Sequence, residues 1–351
     1  MRGGPLQKEH IAGFLVLILV IGAIAGGTAY YEKQSSARLE EELREKAKEY
    51  EPEWPVEDTV FIDDMTYGFD HRLEKYLFIG TDGSGAGEGE EYHGPMADFL
   101  LLMVLDYTDN TLGCIQIDRN TITKIPEIGA KGDLLGERTV QLCTAHWFGG
   151  TPKLNAENTV EAVKYFLGEL DSIDGYFVMN MQDIAALNHT VGGVEVTIDG
   201  DMTSADRAFT DGATLTLDDN QAERFVRARM SLKDDSNQAR MSRQKQYMDG
   251  LFQKVREHTR SNPEYGLQLW DSLQDVAVSD MNGMDFSRIA RMLLDGEDKG
   301  ILKIEGESKL GTVLNDGLEH EEFYADLTSV RDVMTDLFSL VPLGEDYGVT
   351  E

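Results

Sequence analysis

The first apolar block of the chain is unbroken: Ile11 to Tyr30 (IAGFLVLILVIGAIAGGTAY) runs for 20 residues without a charge. That length crosses the hydrocarbon core of a bilayer as a helix, and it predicts a transmembrane helix over 11–31. Arg2 and Lys8 precede the run, whereas the charges after it are mixed in sign. The positive-inside rule therefore puts 1–10 in the cytoplasm and the bulk of the chain beyond the outer face. A cleavable signal peptide is the competing reading, because Ala23-Ile24-Ala25 resembles a small-residue cleavage site; the length of the run favours an uncleaved anchor. The next segment, ARLEEELREKAKEY (37–50), pairs Glu40 with Arg44 and Glu42 with Lys46 at helical spacing but offers little apolar surface. It reads as a juxtamembrane stalk within a linker over 32–71, ended by Pro52 and Pro55.

From residue 72 the pattern becomes that of a globular domain. Tyr76–Gly80, Phe99–Tyr107 and Leu112–Ile117 are near-continuous apolar runs, as in strands covered on both faces, and 108–111 reads as the turn joining the last two. Apolar residues at 160, 163, 166, 167 and 170 mark a helix over 158–170. A strand over 176–179, a helix over 182–189 and a strand over 194–198 follow. The clearest helix covers 238–257, with Met241, Met248, Leu251, Phe252 and Val255 on one side. Further helices are expected over 267–276, 286–294 and 329–340. Alternating elements of this kind imply an α/β layered domain. No composition break separates 261–351 from the core over 72–260, so the C-terminal region reads as completing the same domain.

Charge narrows the function classes. A formal net charge of −32 and a pI near 4.5 exclude a broad basic surface for nucleic acid. Yet seven of the 32 basic residues fall between Arg224 and Lys245. Guanidinium groups so crowded repel one another unless an anion sits among them, and their planar fork suits phosphate. A solvated helix face with scattered salt bridges is the bland alternative. Cys114 and Cys143 have no metal-ligand spacing, the seven histidines form no paired motif, and a zinc site is not expected. Cys114 reads as a small buried hydrophobe, although a disulfide is chemically allowed outside the cell.

The candidate chemistry lies at strand ends. Tyr76–Gly80 runs into Thr81-Asp82-Gly83, and Asp98 stands just before the next apolar run. Strand pairing would bring Asp82 and Asp98 together, and two carboxylates with phosphate oxygens and waters suit Mg²⁺. Taken alone, an Asx turn at Asp82 and a strand cap at Asp98 explain these positions more simply. Ile117-Asp118-Arg119-Asn120-Thr121 puts one arginine at the end of the third strand. Arg227 and Arg229 share one side of an extended segment, while Arg240, Arg243 and Gln244 sit on adjoining helix positions beside the apolar stripe.

In this order the motifs resemble the LytR-CpsA-Psr family of bacterial cell-envelope phosphotransferases. The resemblance covers roughly residues 73–256. It rests on Phe78-Ile-Gly-Thr-Asp82, Ala97-Asp98, Ile117–Thr121, Ala145-His-Trp-Phe-Gly-Gly150, Val191-Gly-Gly-Val194, Arg227-Ala-Arg229 and Arg240-Met-Ser-Arg243-Gln244. It implies a three-layer α/β/α sandwich with a central mixed sheet, preceded by one transmembrane helix. It also implies transfer of a glycopolymer from a polyprenyl-pyrophosphate carrier to a peptidoglycan hydroxyl at the outer face of a bacterial, Gram-positive membrane. By position Asp82 and Asp98 would hold Mg²⁺, Arg119, Arg227 and Arg229 would be catalytic, and Arg240, Arg243 and Gln244 would grip the pyrophosphate. Three positions depart from the family pattern: Met96 where an arginine is usual, and Asn120 and Asn237 where aspartates are usual. Those losses leave room for two other readings, a catalytically weak protein that holds the lipid-linked polymer and a structural protein that contacts acidic wall polymers.

Overall fold

A computed structural model describes residues 59–69, 71–82, 95–129, 131–228 and 234–344. The segment expected to span a membrane, the charged helix over 37–50 and Arg229 lie outside the described residues. Among the described residues no helix is long and apolar enough to cross a membrane.

The strands in chain order are β1 (Thr59–Ile62), β2 (Met65–Gly68), β3 (Leu73–Thr81), β4 (Ala97–Asp106), β5 (Thr111–Gln116), β6 (Ile122–Ile128), β7 (Leu134–Gln141) and β8 (Gly175–Asn180). They continue as β9 (Glu195–Thr197), β10 (Thr214–Thr216), β11 (Ala277–Ser279), β12 (Glu297–Lys303), β13 (Gly306–Gly311), β14 (His320–Ala325) and β15 (Val341–Gly344). The α-helices are α1 (Pro152–Phe166), α2 (Ile184–Thr190), α3 (Asp219–Arg227), α4 (Asn237–Ser261), α5 (Tyr265–Leu273), α6 (Gly283–Asp295) and α7 (Leu327–Phe338).

Six strands form a central mixed sheet in the order β11-β8-β3-β4-β5-β12. β3 and β4 pair antiparallel, as do β4 and β5, whereas β8 runs parallel to β3 and β12 parallel to β5. The period of two sorts each strand between two cores. Tyr76, Leu101, Met103, Leu105, Cys114 and Phe177 face one cluster, built with α2 to α6. Leu77, Ile79, Leu100, Leu102, Val104, Ile115 and Val178 face the other, built with α1, α7 and the β1–β2 and β6–β7 hairpins. The apolar runs are therefore near-continuous because both faces are covered. Each fully buried leucine or isoleucine contributes roughly 1.5–3 kcal/mol.

Several boundaries differ from the sequence reading, each for a local reason. Part of the stretch assigned to the linker over 32–71 is structured: β1 pairs with β2 and β2 with β15, and Val60, Ile62 and Tyr67 are buried. This hairpin docks on the turn after α1, where Gly168 has φ +85° and its carbonyl accepts from the Phe61 amide at 2.8 Å. A Cβ on Gly168 would stand 2.7 Å from the Phe61 carbonyl oxygen, so only glycine fits there. Helix α1 starts earlier than the apolar stripe, because Thr151 caps the Leu154 amide and Pro152 occupies the first turn. Arg227, read as part of an extended segment, instead ends α3, which starts behind a capping box of Asp218 and Gln221. Cys114 and Cys143 are both buried free thiols, so no disulfide joins them.

Candidate functional site

The pairing of the central strands brings the candidate residues to one end of the sheet. Thr81 lies opposite Ala97 and parallel to Asn180, so Asp82 and Asp98 flank the same edge. β5 leaves the sheet at that edge and turns through Asp118–Thr121, where the Thr121 amide donates to the Asp118 carbonyl at 3.1 Å. The turn presents Arg119, and the N-terminus of α4 brings Arg240, Arg243 and Gln244 from far along the chain.

The Arg119 guanidinium donates to Asp98 Oδ1 and also reaches Met96 Sδ and, at 3.3 Å, Cys143 Sγ. Arg240 approaches the same Asp98 oxygen at 3.6 Å. Burial works against the charge of Arg119, but Cys143, Asp98 and Asp82 outweigh it and hold its pKa above the usual arginine value. Arg243 differs: burial lowers its pKa, and Asp234 only partly opposes that shift. Its guanidinium donates to the Ala228 carbonyl, which ties α4 to the end of α3.

Three donors in this cluster are buried and unsatisfied among the described residues: Arg119 Nε, Arg243 Nε and Gln244 Nε2. A buried donor left unpaired costs roughly 1–3 kcal/mol, so three together point to an acceptor-rich ligand. Gln244 also belongs to the wall of a cavity with about 1020 Å³ of free space, counting its open mouth. Phe99, Met103, Phe177, Leu251, Phe286 and Ile289 are among its lining residues, and only Asn180, Gln244 and Tyr247 bring polar side chains to it. A deep apolar hollow thus meets a cluster of guanidinium groups at Gln244.

Two expected arginines fall outside this arrangement. Arg229 lies outside the described residues. Arg227 is the last residue of α3, not part of an extended segment, and donates to Glu223 one helical turn earlier at 2.6 Å. Arg224 pairs with Asp206 and Lys245 with Asp249, so much of the basic run is a solvated helix face after all. Asp82 accepts from the Met96 amide at 3.3 Å, a contact across the β3–β4 connection rather than the local bond of an Asx turn. With Asp98 it offers two carboxylates around Arg119, a donor set that suits Mg²⁺ only when phosphate oxygens and water complete the shell. Among the described residues the one group of three candidate metal ligands, His71, Asp106 and Asp109, sits at the opposite end of β4.

Behind Arg119 stands a 3-10 helix, Leu142–Trp147, whose Cys143 amide donates to the Arg119 carbonyl at 2.9 Å. His146 holds this helix to α1. The Thr159 hydroxyl donates to the Asn155 carbonyl, so His146 Nδ1 carries the proton and donates to Thr159 Oγ1 at 2.9 Å. Burial pushes the His146 pKa down to about 4. An unfolded histidine titrates near 6.5, so between those values the unfolded chain binds more protons and stability falls as pH falls. Denaturant titrations should show a loss of up to about 3 kcal/mol across that window that His146→Asn removes. An unchanged slope in the variant would assign the acid sensitivity elsewhere.

A family model described as LytR_cpsA_psr family matches residues 30–328. The chain belongs to that family. Among curated relatives, a polyisoprenyl-teichoic acid–peptidoglycan teichoic acid transferase TagU of Bacillus cereus (strain AH820) is 30% identical over 180 residues, covering 51% of each chain. The TagU of Bacillus subtilis (strain 168) is 25% identical over 259 residues, covering 71% of this chain and 72% of that one. The chain spans about half the length of the first of these relatives. The crystal structure of B. subtilis TagV has a TM-score of 0.57 at 20% identity, covering 78% of this chain and 99% of its own. TagT bound to LI-WTA has a TM-score of 0.54 at 17% identity, covering 76% of this chain and 89% of its own. The mixed α/β fold with its central mixed sheet is therefore the one seen in these structures.

The structure shows what surrounds Arg119, including Met96, a departure from the family pattern, and residues to which the motifs assign nothing. Met96 and Cys143 both pack on the Arg119 guanidinium. Asp118, next to the turn arginine, is buried among Asn120, Asn237 and Gln238. Lys303 reaches it from β12 through Gln238. Asp118 carried a sequence signal, an acidic residue beside the turn arginine, and Met96 stood out as a departure; Cys143, Gln238 and Lys303 depend on tertiary contacts.

Proposed function

We propose that this chain transfers a glycopolymer from a polyprenyl-pyrophosphate carrier onto a peptidoglycan hydroxyl. The junction at Gln244 carries the reading, because it joins an apolar hollow for a lipid tail to unsatisfied guanidinium donors for a diphosphate. The names of the TagU relatives and the LI-WTA bound in a TagT structure support the same substrate class. The helical layers on either side of the sheet form an α/β/α sandwich, preceded by the anchor over 11–31 that holds the domain at the outer leaflet of a Gram-positive cell.

In the reaction the acceptor oxygen attacks the sugar-side phosphorus, the bridging P–O bond breaks, and polyprenyl phosphate leaves. The hydroxyl proton passes to solvent or to the departing phosphate, and a phosphodiester remains. Catalysis of this kind rests on positioning and on neutralising phosphoryl oxygens. Arg119 and Arg240 would hold the diphosphate beside Asp98, while Arg243 and Gln244 fix its lipid side; Arg227 and Arg229 join if the end of α3 swings inward. Mg²⁺ held by Asp82 and Asp98 would supply further charge neutralisation. A diphosphate diester carries about two negative charges, which a divalent cation held there would offset.

The test uses the full chain in detergent with a polyprenyl-pyrophosphate-linked polymer, peptidoglycan and Mg²⁺, and measures polyprenyl phosphate. Release above the protein-free control is expected; binding without release would reduce the reading to a holding protein. Ala290, 2% exposed on α6, lines the cavity. Ala290→Trp should weaken farnesyl pyrophosphate binding about tenfold, or about 1.4 kcal/mol, and leave inorganic pyrophosphate unaffected. Equal losses for both ligands would show that the tail does not occupy the hollow.

A further inference from the structure

Asp118 is 5% exposed and fully engaged. Its Oδ1 accepts from the Asn120 amide at 2.8 Å and from Asn237 Nδ2 at 2.7 Å, and its Oδ2 accepts from Gln238 Nε2 at 2.9 Å. An Asx turn needs only the first of these bonds. The other two come from the start of α4, more than a hundred residues away, whose N-terminal dipole also favours a carboxylate there. Asn237 in turn accepts from Arg240 through its Oδ1 at 2.7 Å, and Arg240 stands 3.6 Å from Asp98. Gln238 accepts from Lys303 Nζ at 2.8 Å.

The direction of these bonds is fixed by chemistry. A carboxylate only accepts and a guanidinium only donates, so the residue between Asp118 and Arg240 must do both. An amide does; an aspartate at 237 would set two carboxylates against each other. We propose that Asp118, acting through Asn237, is a positioning residue that aims the Arg240 guanidinium at the diphosphate, with Gln238 and Lys303 bracing its second oxygen. The inference rests on the functional reading above and adds to it a residue that touches no substrate.

The experiment measures farnesyl pyrophosphate affinity of the full chain in detergent. Asp118→Ala should weaken binding about tenfold, as should Asn237→Asp, because a buried partner is lost or a like charge is added. Asp118→Asn keeps an oxygen for Asn120 and Asn237 and should stay within about threefold of the unmodified chain. The decisive comparison is with Arg240→Ala: in that background Asp118→Ala should change affinity no further, since its effect passes through Arg240. Additive losses would overturn the proposal, and so would a lowered melting temperature in Asp118→Ala with unchanged affinity. Should Asp118→Ala fail to fold, Asn237→Ala opens the same link and enters the same cycle. An unmodified chain that ignores farnesyl pyrophosphate would sink the functional reading as well, whereas binding with an additive cycle would sink this inference alone.

Discussion

Arg119→Ala is expected to cut polyprenyl phosphate release by about 100- to 1000-fold, the loss seen when one preorganised donor is taken from a transition-state site. Arg119 is the donor at which the cluster converges: it engages Asp98, packs against Met96 and Cys143, and keeps its Nε buried without a partner among the described residues. Without it the buried Asp98 would face Arg240 with one counter-charge fewer. Arg119→Lys keeps the charge but loses the planar fork, so a loss of about tenfold is expected. Release assays on both variants, with circular dichroism to confirm the fold, decide the matter. Near-normal turnover in Arg119→Ala would remove this residue from the chemistry.

The second large effect concerns stability at the other end of β3. Arg288 on α6 donates to Glu74 Oε2 at 3.1 Å and also bonds Asp285, while the Tyr76 and Tyr107 hydroxyls donate to the same Glu74 oxygen at 2.8 and 2.7 Å. Glu74, Asp285 and Arg288 are each at most 9% exposed. Burial, reinforced by Glu74, pushes the pKa of both tyrosines upward, so they remain hydroxyl donors. Arg288→Met should cost about 3–5 kcal/mol, because two buried carboxylates lose their counter-ion. Adding Glu74→Gln should recover part of the loss. Denaturant midpoints measure both, and a single-variant cost below about 1 kcal/mol would show that water replaces the guanidinium. Since this network lies away from Asp82 and Asp98, pyrophosphate affinity in the folded fraction should hold.

The legible parts of this fold are those whose burial follows a local period. β3, β4 and β5 stand out because each is apolar toward two helical layers, and α4 because its stripe faces the cavity. The β6–β7 and β13–β14 hairpins leave no such trace, since β7 and β13 are mostly exposed along their length. Helix α3 buries only Ala222, Phe225 and Val226 in nine residues, although its capping box at Asp218 and Gln221 was readable. At the site, Gln244 borders the apolar cavity, and Arg119 and Arg240 converge on Asp98. Arg227 does not, because a helical partner four residues back satisfies it more cheaply than a distant site. The amide at 237, unexplained from sequence, answers to Asp118 as a side-chain donor, whereas Asn120 gives it only a backbone N–H that an aspartate would also supply, and nothing in the structure explains its side chain. No local pattern announces a contact between residue 118 and residue 237.

The edge strand β12 gives the chain a timing problem. Thr111 finds its parallel neighbour only in Glu297, and Lys303 braces the turn after Gln116 from the same strand. Such a pairing closes a long loop before any contact rewards it, which slows folding. A nascent chain halted near residue 260 would hold most of the recognisable motifs yet leave β5 as an open edge, a surface prone to sticking to its neighbours. Maturation therefore waits until β12 has been made, and a chaperone that shields β5 in the interval should raise the yield of active protein more than one acting after β12 has paired.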